Sequence, residues 1–149
     1  MSIRARVAEG PIQPDRILAE VAAPDRGAIA TFLGTVRDHH RGRRVTRLEY
    51  SAYGPMAERI LREVAGEAVE RFQASQVVVE HRIGSLAVGE TSVLVAVAAA
   101  HRRQALAACA YVIDQVKARA PIWKREFGEG GAVWIEGPED TGESPRGPS

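Results

Sequence analysis

Two lysines lie close together in a chain that otherwise uses arginine. They are Lys117 and Lys124, in the stretch DQVKARAPIWKRE. All the remaining residues among the 20 lysines and arginines of the chain are arginine. Arginine stays charged at all working pH values, whereas lysine can lose its proton and act as acid, base or nucleophile. The two lysines are therefore candidates for proton-transfer or nucleophilic chemistry. The alternative is that both are ordinary surface residues near a helix end.

Two further stretches concentrate basic and titratable side chains. The first is TVRDHHRGRR, which contains Arg37, His39 and His40, and the second is the HRR that begins at His101. His101 and Arg102 stand where a strand gives way to a helix, and a helix N-terminus already carries partial positive charge. Cations there are favourable if an anion such as a phosphate binds at the same place. The alternative is that these side chains extend into solvent or pair with nearby carboxylates.

Other candidate residues point to structure more than to chemistry. His39 and His40 are adjacent, which makes a poor chelate, so we predict no metal site. His81 lies in an alternating strand pattern and is read as structural, and Cys109 lies on the apolar face of an alanine-rich helix as an inert group. The GEGG at 128–131 lacks the strand–helix context of a nucleotide loop and is read as a turn.

Length and composition indicate one ordinary globular domain. The chain has 149 residues, 45% hydrophobic and 26% charged, with a formal net charge of +1 and one cysteine. Such a balanced charge argues against nucleic-acid binding through RDHHRGRR and against attraction to membrane surfaces. The cysteine count excludes an internal disulfide, and no run approaches the ~20 apolar residues of a membrane span. We expect a cytoplasmic protein.

Hydrophobic periodicity predicts the secondary structure. Alternation or short apolar runs indicate strands, and spacing of three to four residues indicates amphipathic helices. Strands are predicted at 2–8, 27–36, 45–53, 76–84, 91–100 and 131–137, and helices at 14–22, 55–72 and 102–119. The resulting order is βαββαββαβ.

This order predicts an α+β fold with an antiparallel or mixed sheet and helices on one face, in two layers. Gly34 interrupts an apolar strand, which indicates a bulge or a close backbone approach. The last helix must end near Arg119 or Ala120, because the residue before Pro121 is pushed out of the α region. Residues 1–136 are read as the single domain and the Pro/Gly/Ser-rich 137–149 as a disordered tail.

One distance limits how these residues can cooperate. His101 and Lys117 are separated by 16 residues of one helix, which at helical rise is about 24 Å. A small pocket cannot use both from a single chain. Either they serve different sites, or a second copy brings its HRR to the lysines of the first.

Five stretches together resemble a known family. GAIATFLGTVRDHHRG, LEYSAYGPMAE, HRIGSLAVGE, VAVAAAHRRQALAACAYVIDQVKARAPIWKRE and AVWIEG occur in the order seen in the large, catalytic subunit of molybdopterin synthase. The resemblance runs from about Gly27 to Glu136. It implies an α/β hammerhead-like fold with an additional small β subdomain.

The resemblance also implies an activity and partners. Family members convert cyclic pyranopterin monophosphate, an anionic pterin phosphate, to molybdopterin in molybdenum cofactor biosynthesis. The sulfur comes from the C-terminal Gly-Gly thiocarboxylate of a small ubiquitin-like subunit. The assembly is a homodimer of large subunits with sites shared between them and one small subunit at each end. No resident cofactor and no metal are implied.

The site residues implied by the resemblance include both lysines. Lys117 and Lys124 match the catalytic pocket lysines, with Lys117 nearest the reactive tail. The implied substrate-binding residues are Thr35, Val36, Arg37, His101, Arg102, Lys117, Lys124, Arg125 and Glu126. A remaining alternative is a non-catalytic module that grips the tail of a ubiquitin-like partner and has no need of Arg102.

Overall fold

A computed structural model describes residues 2–135 as nine strands and three helices. In chain order these are β1 (Ser2–Ala8), α1 (Pro14–Val21), β2 (Ala28–Thr35), β3 (His39–His40), β4 (Arg43–Ala52), α2 (Gly54–Phe72), β5 (Gln76–Arg82), β6 (Gly84–Ala87), β7 (Thr91–Ala99), α3 (Arg102–Arg119), β8 (Ile122–Gly128) and β9 (Gly131–Ile135). The tail predicted over 137–149 lies outside the described residues.

The strands form two sheets. The first is mixed and has the order β1-β5-β7-β2, with β1 parallel to β5 and the other neighbours antiparallel. The second is antiparallel, in the order β3-β4-β8-β9, with β6 also paired to β4. The predicted α+β class with a mixed sheet and additional β structure is confirmed.

Helices cover both faces of the first sheet, so the expectation of two layers with helices on one face is wrong. α2 and α3 pack on the face that carries Val77, Val79, Val95 and Val97, whereas α1 packs its Ile17 and Val21 on the opposite face. The reason lies in β5 and β7, which are apolar at consecutive positions and buried throughout their centres. Strands of that kind are typical of sheets covered on both sides.

Three strands were not predicted. β3 and β4 begin as a hairpin closed by Arg41 and Gly42, both of which have positive φ (55° and 78°), within what was read as a basic loop. This is the backbone of a two-residue type I′ turn. β6 replaces most of the turn expected between the strands at 76–84 and 91–100, and β8, which contains Lys124, lies where the sequence predicts neither a helix nor a strand.

Two local predictions are confirmed. The pairing of β2 with β7 shifts register between Gly34 and Thr35, and a Cβ added at Gly34 would lie 2.7 Å from Cγ1 of Val93. α3 ends at Arg119, and Ala120 is extended with φ −73° and ψ 133°. The chain therefore turns sharply before Pro121 and enters β8, which returns Lys124 towards the end of α3.

Within residues 2–135, no helix is both long enough and apolar enough to cross a membrane.

Candidate functional site

A cavity of about 310 Å³ lies where the two sheets and the end of α3 meet. Its walls come from the end of β2, the β3–β4 hairpin, the central part of β4, one residue of β7, the last turn of α3 and β8. The lining residues are Phe32, Leu33, Gly34, Thr35, Arg37, His39, His40, Val45, Leu48, Tyr50, Ser92, Lys117, Lys124 and Glu126.

Sheet register explains why Lys124 and Glu126 face this cavity together. Lys124 pairs with Tyr50 and Glu126 pairs with Leu48 across the β4–β8 ladder. Tyr50 and Leu48 are buried in the small core of the second sheet. Because side chains alternate between the faces of a strand, positions 124 and 126 share the face of their buried partners.

Lys117 reaches the same cavity from a different element. It lies in the last turn of α3, half-buried, while the buried Val116 fixes the helix against the main core. The turn at Ala120 and Pro121 then brings Lys124 back to it. The two lysines that stood out in the sequence therefore line one cavity with Arg37.

Of the predicted site residues, Thr35, Arg37, Lys117, Lys124 and Glu126 line the cavity, and the other four do not. Val36 points into the core of the second sheet. His101 is the N-cap of α3, and both it and Arg102 are exposed at the far end of that helix. In one chain the HRR stretch is therefore separate from the lysines, as the helical rise required.

Arg125 belongs to the opposite face of β8. Its Nη2 donates a hydrogen bond to Glu49 Oε1 at 2.9 Å, and its guanidinium lies 4.9 Å from the ring centroid of Trp134. The same alternation that turns Lys124 inward turns Arg125 outward. A role for Arg125 in substrate binding stays a prediction.

The electrostatics of the cavity are mainly cationic. Arg37, Lys117 and Lys124 share its lining with two histidines, and among residues 2–135 Glu126 is the only carboxylate that lines it. Glu126 is 4% exposed and is held by two partners from the hairpin. Its Oε2 lies 2.5 Å from His40 Nδ1, and its Oε1 accepts a hydrogen bond from Arg43 Nη1 at 3.3 Å. Such a site favours an anionic ligand.

His39 and His40 belong to the basic, titratable stretch identified in the sequence, where their adjacency makes them poor joint metal ligands. His39 Nδ1 lies 2.7 Å from Asp38 Oδ1, and this contact holds the pKa of Asp38 below its ordinary value. His40 engages Glu126. Across residues 2–135, His, Cys, Asp and Glu side chains form no group of three arranged to hold a metal ion. The clustering of titratable groups in 37–44 was the signal that marked this stretch as part of a site.

Comparison with known proteins identifies the family of the chain. Residues 7–119 match the family model described as MoaE protein, so the chain belongs to the MoaE family.

Relatives of known activity define the protein more closely. The molybdopterin synthase catalytic subunit of Pyrococcus abyssi is 46% identical over 123 residues, which is 83% of each chain. The crystal structure of molybdopterin synthase from Staphylococcus aureus matches with a TM-score of 0.84 and 35% identity, covering 88% of this chain and 96% of that one. The function is that of a molybdopterin synthase catalytic subunit, an enzyme of molybdenum cofactor biosynthesis, and the resemblance seen in the sequence is confirmed.

A more distant structure shares the fold. A chain in the protein–protein complex of subunits 1 and 2 of molybdopterin-converting factor from Helicobacter pylori matches with a TM-score of 0.71 and 21% identity, covering 91% of this chain and 92% of that one.

Proposed function

We propose that the cavity between the sheets is the place where sulfur passes from the C-terminal thiocarboxylate of a small ubiquitin-like subunit to cyclic pyranopterin monophosphate. The observation that carries this proposal is the convergence of Lys117 and Lys124 on one cavity with Arg37. Transfer from an acyl carrier develops negative charge on the carbonyl oxygen and needs proton movement. The permanently charged Arg37 can stabilise the negative charge, and Lys117 and Lys124 can transfer the proton.

We assign the two lysines different roles, using their positions in the fold as support. Lys117 lies at the end of a helix whose buried side is packed in the core, and we assign it to the thiocarboxylate carbon. Lys124 lies on β8 opposite Tyr50, and we assign it to positioning the pterin.

A second copy of the chain completes the site in this proposal. His101 and Arg102 are exposed at the start of α3, whose first turn contains no acidic residue. The helix N-terminus and the Arg102 guanidinium suit the substrate phosphate. Since Lys117 is about 24 Å away on the same helix, the phosphate-binding HRR comes from the partner copy. The chain of like fold in the Helicobacter pylori complex supports a small subunit as the further partner.

Substitution of Lys117 tests the assignment of the cavity. Purified variants are incubated with thiocarboxylated small subunit and cyclic pterin, and dithiolene product is measured. We expect Lys117→Ala to abolish conversion, and Lys117→Arg to reduce the rate by about 10²- to 10⁴-fold, since Arg keeps the charge but transfers no proton. Wild-type turnover by folded Lys117→Ala would refute the assignment.

Mixing two inactive variants tests the shared site. A dimer of one Lys117→Ala subunit and one Arg102→Ala subunit has one site with both defects and one site with neither. After subunit exchange, half of the dimers are mixed, so we expect about a quarter of wild-type activity. If subunit exchange is verified and no activity is recovered, the site is not shared between two copies. Full activity of Arg102→Ala alone would favour a non-catalytic module that only binds its partner.

A further inference from the structure

The carboxylate of Glu126 is buried in the cavity wall, where a charge needs partners. Its side chain is 6% exposed, and its two oxygens have different partners on the β3–β4 hairpin, His40 and Arg43. A buried carboxylate that loses a partner is left incompletely solvated, which costs free energy or forces a rearrangement. The position of Glu126 therefore depends on the hairpin.

The two partners form a single structural unit. His40 and Arg43 are paired residues of the hairpin, directly flanking the Arg41–Gly42 turn. Arg43 also donates from Nε to the carbonyl of Glu129 at 2.8 Å, and from Nη2 to the carbonyl of Gly131. The hairpin is thus joined to β8 through Glu126, to the β8–β9 turn through Glu129 and to the start of β9 through Gly131.

This junction lies beside the residues assigned to the reaction. Lys124 is two positions before Glu126 on the same face of β8, and Arg37 is two positions before His39, the first residue of the hairpin. The contact between Glu126 and His40 therefore links the strand that carries Lys124 to the hairpin that follows Arg37. His40 is also largely buried, with 19% of its side chain exposed, which restricts its motion.

We propose that His40 is a positioning residue for sulfur transfer, acting through its hydrogen bond to Glu126 to hold Lys124 and the hairpin in reacting geometry. The inference rests on the proposed function of the cavity. In this proposal Glu126 connects β8 to the hairpin. His40 holds Glu126 in place, whereas its neighbour His39 contacts Asp38 and does not have this role.

Two substitutions at His40 separate ring volume from hydrogen bonding. His40→Phe keeps a planar ring but has no donor, whereas His40→Asn loses the ring but keeps an N–H group at the place of Nδ1. Displacement of reacting groups by about 1 Å costs on the order of 100-fold in rate. We expect His40→Phe to lower kcat by about 10- to 100-fold with KM within about threefold, and His40→Asn to recover most of the loss.

Arg41→Asn is the matched control. It removes one charge from the exposed tip of the same hairpin and suits positive φ, so kcat stays at the wild-type value. Circular dichroism verifies folding of each variant, and if His40→Phe does not fold, His40→Ala replaces it with the same expected loss.

Three outcomes would overturn the inference. The first is a wild-type kcat in folded His40→Phe, or in His40→Ala where that variant replaces it. The second is a kcat of folded His40→Asn that is no higher than the kcat of the variant without the donor. The third is wild-type turnover by Lys117→Ala, which removes the proposed function as well. Loss of activity in Lys117→Ala together with unchanged kcat in His40→Phe rejects the positioning role alone.

Discussion

Gly128, the last residue of β8, lies directly against the backbone of β4. A Cβ added there would lie 2.0 Å from the carbonyl oxygen of Arg44, 3.0 Å from its carbonyl carbon and 3.1 Å from Cα of Val45. These are backbone atoms of the neighbouring strand, so no side-chain rotation can relieve the overlap. Gly128→Ala must therefore push β4 and β8 apart at the base of the hairpin.

The size of the effect follows from the overlap. Restoring an ordinary contact of about 3.4 Å to an oxygen at 2.0 Å needs a displacement above 1 Å, and overpacking of this kind costs about 1–3 kcal/mol or more. Taking about 3 kcal/mol, and 2–4 °C per kcal/mol for a chain of this size, the melting temperature falls by about 6–12 °C. Because the displaced strands carry the hairpin and Lys124, kcat falls as well.

Gly66 supplies the matched control for the same chemical change. It lies inside α2, and a Cβ added there meets no atom within 4 Å apart from its chain neighbours and the backbone of its own helix. Alanine in a helix interior is favoured over glycine by about 0.5–1 kcal/mol, so Gly66→Ala raises the melting temperature by about 1–4 °C. Thermal unfolding followed by circular dichroism at one fixed protein concentration measures both variants. A Gly128→Ala melting temperature equal to that of the wild type would refute the steric reasoning.

Three other predictions concern stability and reactivity. Burial raises the pKa of the Cys109 thiol to about 11, so at pH 8 the native protein reacts with a disulfide reagent at least about 100-fold more slowly than the unfolded chain. Hydrogen bonds from Arg119 and Tyr111 hold the pKa of Glu67 below its ordinary 4.5. The stabilisation that these bonds give is present above about pH 4.5 and is lost as the pH falls through the lower folded pKa. Because the Glu67 side chain is 38% exposed and solvent screens its charge, we expect Glu67→Gln to lower the free energy of unfolding by less than about 1 kcal/mol near neutral pH. In urea unfolding, this difference from wild type shrinks below about pH 4.5. Leu61 is fully buried between α2 and the sheet, and Leu61→Ala lowers the free energy of unfolding by about 2–5 kcal/mol in urea titration.

Elements with a clear period were predictable, and β8 shows why others were not. Its residues Lys124 and Glu126 face a polar cavity, while Arg125 on the other face pairs with Glu49 and lies over Trp134. Both faces are therefore polar, and the alternation that identifies a half-buried strand is absent. The β3–β4 hairpin was not predicted for a similar reason. Its polar residues His40 and Arg43 are partly buried because they contact Glu126, which is distant in sequence.

The layer arrangement and the site differ in how far sequence could reach. The unbroken apolar runs of β5 and β7 carry the signal for burial on both faces, and α1 supplies the second cover. Two of the three basic stretches do meet in one cavity. Their proximity depends on the β4–β8 register, which no local sequence pattern specifies. The contact of His40 with Glu126 was equally unpredictable, because it joins residues 86 positions apart.

The chain's single thiol, Cys109, is enclosed in the main core, and this makes the natural sequence a ready background for site-specific labelling. A cysteine introduced at Ala19, exposed on α1 and across the sheet from α3, would be the one position open to a maleimide dye or spin label. Pairs of such labels in two associated copies would report their separation by energy transfer or dipolar spectroscopy, without any native residue having to be removed first.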